Sequence, residues 1–306
     1  MPGSTMVVAH IATMARGIRQ RVFAHTLANN GGYLSQACSS AEILACLYSG
    51  MANLAPLPEP RSPRTFDGVP IVGHQNPYYT GAEFHGEQSK ERDRLIISPA
   101  HYALVVYAAL IESGRLTEDS LDHFNKDGST VEMIGAEHSP GFETTTGSLA
   151  QAISQAGGIA LARKIRDEPG KTWVFMSDGE FQEGQTWEAL TAASYHKLSN
   201  LRIIVDVNRQ QCDGPMDSVM TIEPLSLRLK SFGWNVSVVQ GHQIPAILNA
   251  GAIQSAKPHA ILCYTDPAHD IPILNERAPV LHYLRFTGAE EHARYEQAFK
   301  EFANGA

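Results

Sequence analysis

The chain has 306 residues, of which 43% are hydrophobic and 18% are charged, so it can bury a sizeable core and extended disorder is excluded. Its 32 acidic and 24 basic residues give a formal charge of -8. No dense run of Lys or Arg occurs, which argues against a nucleic-acid or membrane partner and favours a small-molecule substrate.

The N-terminal part of the sequence predicts two helices and a long loop. The apolar spacing over 7–27 is helical, and Ser39 and Ser40 with Glu42 close behind are typical of the start of a second helix. Residues 53–90 contain six prolines and several glycines, which predicts an irregular, Pro-rich insertion. Loops of this length are usually functional or mobile.

The rest of the sequence predicts strands that alternate with helices. The apolar runs expected to be strands are 95–97, 172–176, 201–207, 234–239 and 260–264. The expected helices are 100–112, 117–124, 148–166, 185–196, 224–232 and 244–256. This alternation predicts an α/β fold with a central, mostly parallel sheet and helices on both faces. We expect one domain over residues 1–306.

The cysteines and the N-terminus bear on the cellular compartment. Four cysteines are scattered without a C-x-x-C pair, so neither a disulfide framework nor a structural zinc site is indicated. The first residues lack a signal-peptide pattern, and no stretch of about 18 apolar residues occurs. We therefore expect a cytoplasmic protein with no membrane association.

Polar residues follow two of the predicted strands. Ser177, Asp178 and Gly179 come directly after 172–176, and Asn208 comes directly after 201–207. Ligands bind beyond the carboxyl ends of parallel strands, and carboxylate and amide oxygens suit Mg²⁺. Gly179 would let the backbone approach a diphosphate closely. An acid after a strand is by itself more often a helix cap, but the pair predicts a metal and diphosphate site.

Several segments agree, in order, with one known family. They are the D-G-E-F-Q-E-G run from Asp178, the strand ending before Asn208, the R-D-R-L-I-I-S run from Arg92 with His101 three residues on, and the T-T-G-S-L-A-Q run from Thr145. The sequence from about residue 10 to 285 thus resembles the diphosphate-binding part of the transketolases, which are thiamine diphosphate enzymes. The resemblance implies the thiamine diphosphate-binding fold.

This resemblance also implies a cofactor and a set of site residues. The metal, Mg²⁺ with Ca²⁺ or Mn²⁺ as substitutes, is expected on the side chains of Asp178 and Asn208 and the main-chain carbonyl of Gln210. The residues implied to bind thiamine diphosphate are Gly147, Ser177, Asp178, Gly179, Glu180, Asn208 and His101. His101 is also expected to reach the donor sugar, and His282 to lie by the diphosphate and substrate. A lone histidine such as His282 can equally be a packing residue.

The implied activity is transfer of a two-carbon ketol unit from a ketose to an aldehyde acceptor. The chain ends where the family's second, pyrimidine-binding domain begins, so it resembles the first subunit of a split transketolase. The implied partner is a C-terminal subunit that carries the pyrimidine-binding domain, in a heterotetramer of two chains of each kind. Glu183 matches a family glutamate that is buried at a subunit interface.

Departures from the family pattern put the usual sugar substrates in question. Asn29 replaces a substrate-facing histidine, and another histidine is either lost or displaced to His138, the third catalytic candidate. The family's basic K-G-x-G loop after Thr265 is replaced by 266–269. We expect the insertion either to reshape the substrate entrance or to be a surface or interface element; its candidate residues are His74, Tyr78, Tyr79 and His85.

Other functions remain open from sequence alone. A different thiamine diphosphate enzyme, either a carboligase or a 2-oxo acid dehydrogenase component, would share the metal and cofactor residues. A degenerate homologue that only binds a partner would have no need of Asp178, Asn208 and His101 together. A nicotinamide-dependent enzyme is disfavoured because no G-x-G-x-x-G follows an early strand.

Overall fold

A five-stranded parallel sheet forms the centre of the molecule. The computed structural model describes residues 5–68 and 79–305. The strands are β1 (Arg94–Ile97), β2 (Thr172–Ser177), β3 (Leu201–Val207), β4 (Asn235–Gln240) and β5 (His259–Tyr264). Every neighbouring pair is parallel, in the order β1-β2-β3-β5-β4. The α/β prediction is therefore confirmed.

Within these two ranges, eight helices cover both faces of the sheet. They are α1 (Thr5–Ala28), α2 (Leu34–Cys46), α3 (Ala103–Glu112), α4 (Gln151–Ile165), α5 (Gly184–Tyr195), α6 (Leu225–Ser231), α7 (Ile244–Ala252) and α8 (Ala289–Asn304). Helices α1, α2, α3, α7 and α8 share one apolar core with the sheet, and α4, α5 and α6 share the other. Among the described residues, no helix is both long and apolar enough to cross a membrane.

Short elements connect these helices and strands. The 3₁₀ turns are Gly81–His85, Ala100–Tyr102, Glu118–His123, Asp178–Gln182 and Pro272–Arg277, and a π-type turn covers Leu47–Met51. A helical turn spans Met216–Val219. Two antiparallel ribbons pair Gly31–Gly32 with Leu284–Arg285 and Gln210–Gln211 with Gly214–Pro215.

The sheet is sandwiched because successive side chains of a strand point to opposite faces. In β2, Trp173 and Phe175 enter the core formed with α1, α2 and α3, whereas Val174 and Met176 enter the core formed with α4 and α5. All residues of β2 and β3 are buried. Strands buried on both faces read as continuous apolar runs, which is why the sequence located them well.

The predicted start of the second helix is wrong. Helix α2 begins at Leu34, so Ser39 and Ser40 lie in its middle and are fully buried. Their hydroxyls have partners other than a helix end, because Ser40 Oγ donates to the Gln36 carbonyl and Ser39 Oγ donates to Asp206. Two other helices are shorter than predicted. Helix α4 begins at Gln151 rather than at residue 148, and α7 ends at Ala252 rather than at residue 256.

In the described part of the Pro-rich insertion, the turn Gly81–His85 is the one regular element. Residues His74 and Tyr78 lie outside the described residues. Tyr79 donates its hydroxyl to the Thr65 carbonyl. His85 is buried, and its Nδ1 lies 3.2 Å from the Glu143 carboxylate, which also pairs with Arg94. A buried ion-pair network therefore anchors the end of this segment to β1.

Candidate active site

Two acidic residues meet at the carboxyl edge of the sheet. Asp178 directly follows β2, and Asp206 lies near the end of β3, opposite Ser177 in the strand pairing. Both side chains are buried. Asp178 Oδ2 accepts a hydrogen bond of 2.7 Å from the backbone N–H of Arg209, so the loops that follow β2 and β3 are tied together.

The Asp206 carboxylate fixes the orientation of Asn208. Its donors are Ser39 Oγ at 2.5 Å, Tyr102 OH at 2.9 Å, Thr265 Oγ1 at 2.5 Å and Asn208 Nδ2 at 3.2 Å. Because a carboxylate only accepts, the amide nitrogen of Asn208 must face it. The Asn208 Oδ1 atom accepts from the Gln210 backbone N–H at 2.9 Å and keeps a second lone pair for a ligand.

The two buried carboxylates would be stabilised in their charged forms by a nearby cation. Burial, together with the negative charge of Asp206, raises the pKa of Asp178 well above its usual range. Burial also raises the pKa of Asp206, despite its four hydrogen bonds. No ion pair joins either carboxylate to a Lys, Arg or His within the described part of the chain. A divalent cation would stabilise both in ionised form.

Backbone features beside these carboxylates suit a diphosphate carried by the metal. A Cβ built on Gly179 would meet no atom within 4 Å, so the backbone there is open to a ligand. Arg209 adopts a left-handed conformation with φ of 57°, and such strain concentrates at functional sites. The Gln210 Oε1 atom is buried without a hydrogen-bond partner. The residues present therefore fit a magnesium-bound diphosphate.

Glu180 connects three loops around this edge. Its carboxylate accepts from the Ser177 N–H at 2.8 Å, from the Ala150 N–H at 3.2 Å and from the Ser98 hydroxyl. Burial raises the pKa of Glu180 to about 7, against the effect of these hydrogen bonds. The loop containing Gly147 is thereby held next to the turn that carries Asp178.

The structure brings two of the three predicted catalytic histidines together. The rings of His101 and His282 lie 5.2 Å apart, and Tyr33 contacts both. Gln36 Nε2 donates to the His282 carbonyl at 3.0 Å. Burial, and then the neighbouring His282, lower the pKa of His101 to about 3, and burial lowers that of His282. Both rings are neutral hydrogen-bonding groups at neutral pH.

The other sequence candidates lie in different surroundings. His138 stacks on Phe66 with ring centres 4.5 Å apart and lies 3.1 Å from the Glu132 carboxylate, rather than in the His101–His282 pair. Asn29 is exposed and lines a cavity of about 360 Å³ together with Tyr33. Whether His138 or Asn29 takes over the role of a family histidine stays a prediction.

Sequence reasoning missed several residues that complete the site. Asp206 could have been found, because an acid near the end of the mostly apolar strand 201–207 needs buried donors. The remaining missed residues are Ser39, Tyr102, Thr265, Tyr33 and Gln36. They are far apart in sequence, and no local pattern distinguishes them from ordinary buried polar residues.

Comparison with known proteins identifies the same family as the sequence motifs. Residues 82–267 match the model of the transketolase, thiamine diphosphate binding domain. The transketolase family protein y4mO of Sinorhizobium fredii is 35% identical over 276 residues, which cover 89% of this chain and 88% of that protein. One of the subunits of an apulose-4-phosphate transketolase from Phocaeicola vulgatus is 30% identical over 69% of this chain and 74% of its own length.

Solved structures agree on the fold. The transketolase of Campylobacter jejuni superposes on 98% of this chain with a TM-score of 0.68 at 21% identity. The chain spans 47% of that protein and 36% of human transketolase-like protein 2. With the family model matching more than half of the chain, this protein belongs to the transketolase family and carries its thiamine diphosphate binding domain.

Proposed function

We propose that this chain is one subunit of a two-component transketolase that transfers a two-carbon ketol unit from a ketose to an aldehyde, with thiamine diphosphate and Mg²⁺. The observation that carries the proposal is the pair of buried carboxylates, Asp178 and Asp206, beside Asn208 at the carboxyl edge of the sheet. A site built only for structural stability would gain little from two buried acids that have no cationic partner in the described part of the chain.

Within this proposal, Asp178, Asn208 and the Gln210 carbonyl hold the metal, and Asp206 keeps the Asn208 amide in the ligating orientation. Gly179 and Glu180 shape the loop around the diphosphate. The bound cofactor supplies covalent activation of the ketose carbonyl carbon. The protein then contributes positioning and proton transfer.

His101 and His282 are the groups that meet the substrate in this proposal. Because both imidazoles are neutral at pH 7, His101 can donate one hydrogen bond and accept another, as recognition of a sugar hydroxyl and carbonyl requires. His282 offers a donor at Nε2, since its Nδ1 lies 3.3 Å from the amide nitrogen of Gln36 and accepts from it. Their shared contact with Tyr33 restricts the movement of both rings. The cavity lined by Asn29 and Tyr33 would take up part of the substrate.

The partner requirement rests on relatives whose names describe subunits. Besides the apulose-4-phosphate transketolase relative, a 6-deoxy-6-sulfo-D-fructose transketolase subunit of Clostridium is 35% identical over 56% of this chain and 62% of its own length. We infer that a second chain with the pyrimidine-binding domain completes the active site, in a heterotetramer of two chains of each kind. The donor and acceptor of this protein are sugars or sugar-like molecules of unassigned structure.

Calorimetric titration of thiamine diphosphate into the chain co-purified with its partner tests the cofactor proposal. We expect tight binding that requires Mg²⁺, is abolished by a chelator and is lost in Asp178→Ala. The matched control is Asp217→Ala, which removes an exposed acid outside the site. An assembled, folded complex that binds no cofactor with Mg²⁺ present would overturn the proposal.

A further inference from the structure

A second group of potential metal ligands lies outside the cofactor site. Glu42 of α2, His242 after β4 and His269 after β5 each offer one ligand atom, and these atoms all lie within 4.8 Å of one another. His242 Nδ1 is 3.0 Å from Glu42 Oε2, and the two imidazole rings stack with centres 3.7 Å apart. Three distant parts of the sequence therefore bring a carboxylate and two imidazoles to one point.

We propose that Glu42, His242 and His269 form a binding site for a first-row divalent transition-metal ion, which we test with Zn²⁺. Two imidazole nitrogens and one carboxylate oxygen are a donor set that suits zinc and its first-row neighbours. Mg²⁺ and Ca²⁺ prefer all-oxygen sites, so this site and the one at Asp178 select different ions.

The protonation of the cluster is compatible with metal binding. His242 Nε2 accepts the Asp266 backbone N–H at 2.8 Å, so its proton lies on Nδ1 and is donated to Glu42. A metal at Nδ1 takes the place of that proton, which leaves to solvent. Both imidazoles retain some solvent exposure, and binding of one ion by both requires the stacked rings to turn from their present orientation.

The surrounding charges favour a divalent cation despite the presence of Arg19. Buried Arg19 pairs with Glu42 at 2.5 Å and with Asp270 at 3.3 Å. One positive charge therefore faces the two negative charges of Glu42 and Asp270 when the imidazoles are neutral, which leaves one net negative charge to attract the ion.

The site would couple to the cofactor edge through the segment that follows β5. Thr265, which donates to Asp206, directly precedes Asp266. This is also the segment in which the sequence departs from the family's basic loop and supplies both Asp266 and His269. An ion here would hold residues 266–269 against α2, and so would fix the position of Thr265.

The experiment titrates Zn²⁺ into untagged, chelator-stripped complex that carries Cys212→Ser, in competition with a chromophoric chelator and with excess Mg²⁺ covering the cofactor site. Cys212 is replaced because it is an exposed thiol. We expect one Zn²⁺ per copy of this chain and release of about one proton. The affinity should fall by at least about tenfold in both His269→Ala and His242→Ala.

The matched control is His196→Ala, which removes an exposed histidine outside the cluster and should leave Zn²⁺ affinity unchanged. Circular dichroism of each variant establishes that it is folded. X-ray absorption at the zinc edge should report two imidazoles and a carboxylate. No stoichiometric binding, or binding that both cluster variants retain at full affinity, would overturn the proposal. Because the readout is zinc itself, its failure is separate from failure of the thiamine diphosphate proposal.

Discussion

The buried acids at the carboxyl edge favour function at the expense of stability. An acid whose folded pKa is raised binds more protons in the folded than in the unfolded state, so stability falls as pH rises from its ordinary pKa through the raised one. Asp178 and Asp206 are both such acids. Without a divalent cation, the protein should therefore lose stability at this edge as the pH approaches neutrality.

Replacement of Asp178 by Asn tests this trade-off. We expect Asp178→Asn to unfold at a higher urea concentration than wild type when a chelator is present at pH 7, because it removes one of two repelling, buried charges. The advantage should shrink as pH falls towards 4. The same variant should lose Mg²⁺-dependent binding of thiamine diphosphate. A variant less stable than wild type at pH 7 would show that Asp178 has a structural role instead.

His259 gives a pH dependence of opposite sign. It is fully buried and hydrogen-bonded to Ser237, and burial together with the neighbouring charge of Arg202 lowers its pKa to about 4. The unfolded state therefore binds more protons between about pH 6.5 and 4, and stability falls with falling pH by at most about 1.4 kcal/mol per unit. Urea unfolding of His259→Gln should show a shallower loss over this range. Equal slopes would contradict the prediction.

At the level of elements, sequence patterns located β1, β2, β3 and β5 because burial on both faces leaves a short apolar run. The start of α2 could not be located, because Ser39 and Ser40 are typical helix caps in sequence and are recruited by Asp206 and Gln36 in the fold. Asp178 and Asn208 could be proposed as site residues from sequence because they directly follow strands. Tyr33, Ser39 and Tyr102 belong to the site only because distant helices pack there.

The Glu143 network is an element-level feature that should contribute to stability. Burial alone would raise the pKa of Glu143, but His85 and Arg94 outweigh it and lower that pKa. Glu143→Gln should therefore cost about 3 kcal/mol, because it leaves Arg94 without its buried partner. Urea unfolding measures the loss, with exposed Glu91→Gln as the control. An equal effect of the two substitutions would refute this role of Glu143.

For the whole molecule, the exposed face next to the cofactor loops bears on assembly. Glu183 is exposed in the isolated chain and precedes α5, whereas its family counterpart is buried between subunits. We expect Glu183→Arg to dissociate the assembled complex in sedimentation velocity and to leave the unfolding of the chain unchanged. Exposed Glu87→Arg is the charge-matched control. Intact assemblies of Glu183→Arg would exclude this residue from the interface.

The donors of Asp206 come from α2, from the turn before α3, from the end of β3 and from the residue after β5. A chain in which any one of these segments has not docked cannot orient Asn208. Cofactor affinity should therefore act as a check on complete folding, since partly folded molecules would be unable to retain the metal. Binding of thiamine diphosphate would then select completely folded subunits for assembly.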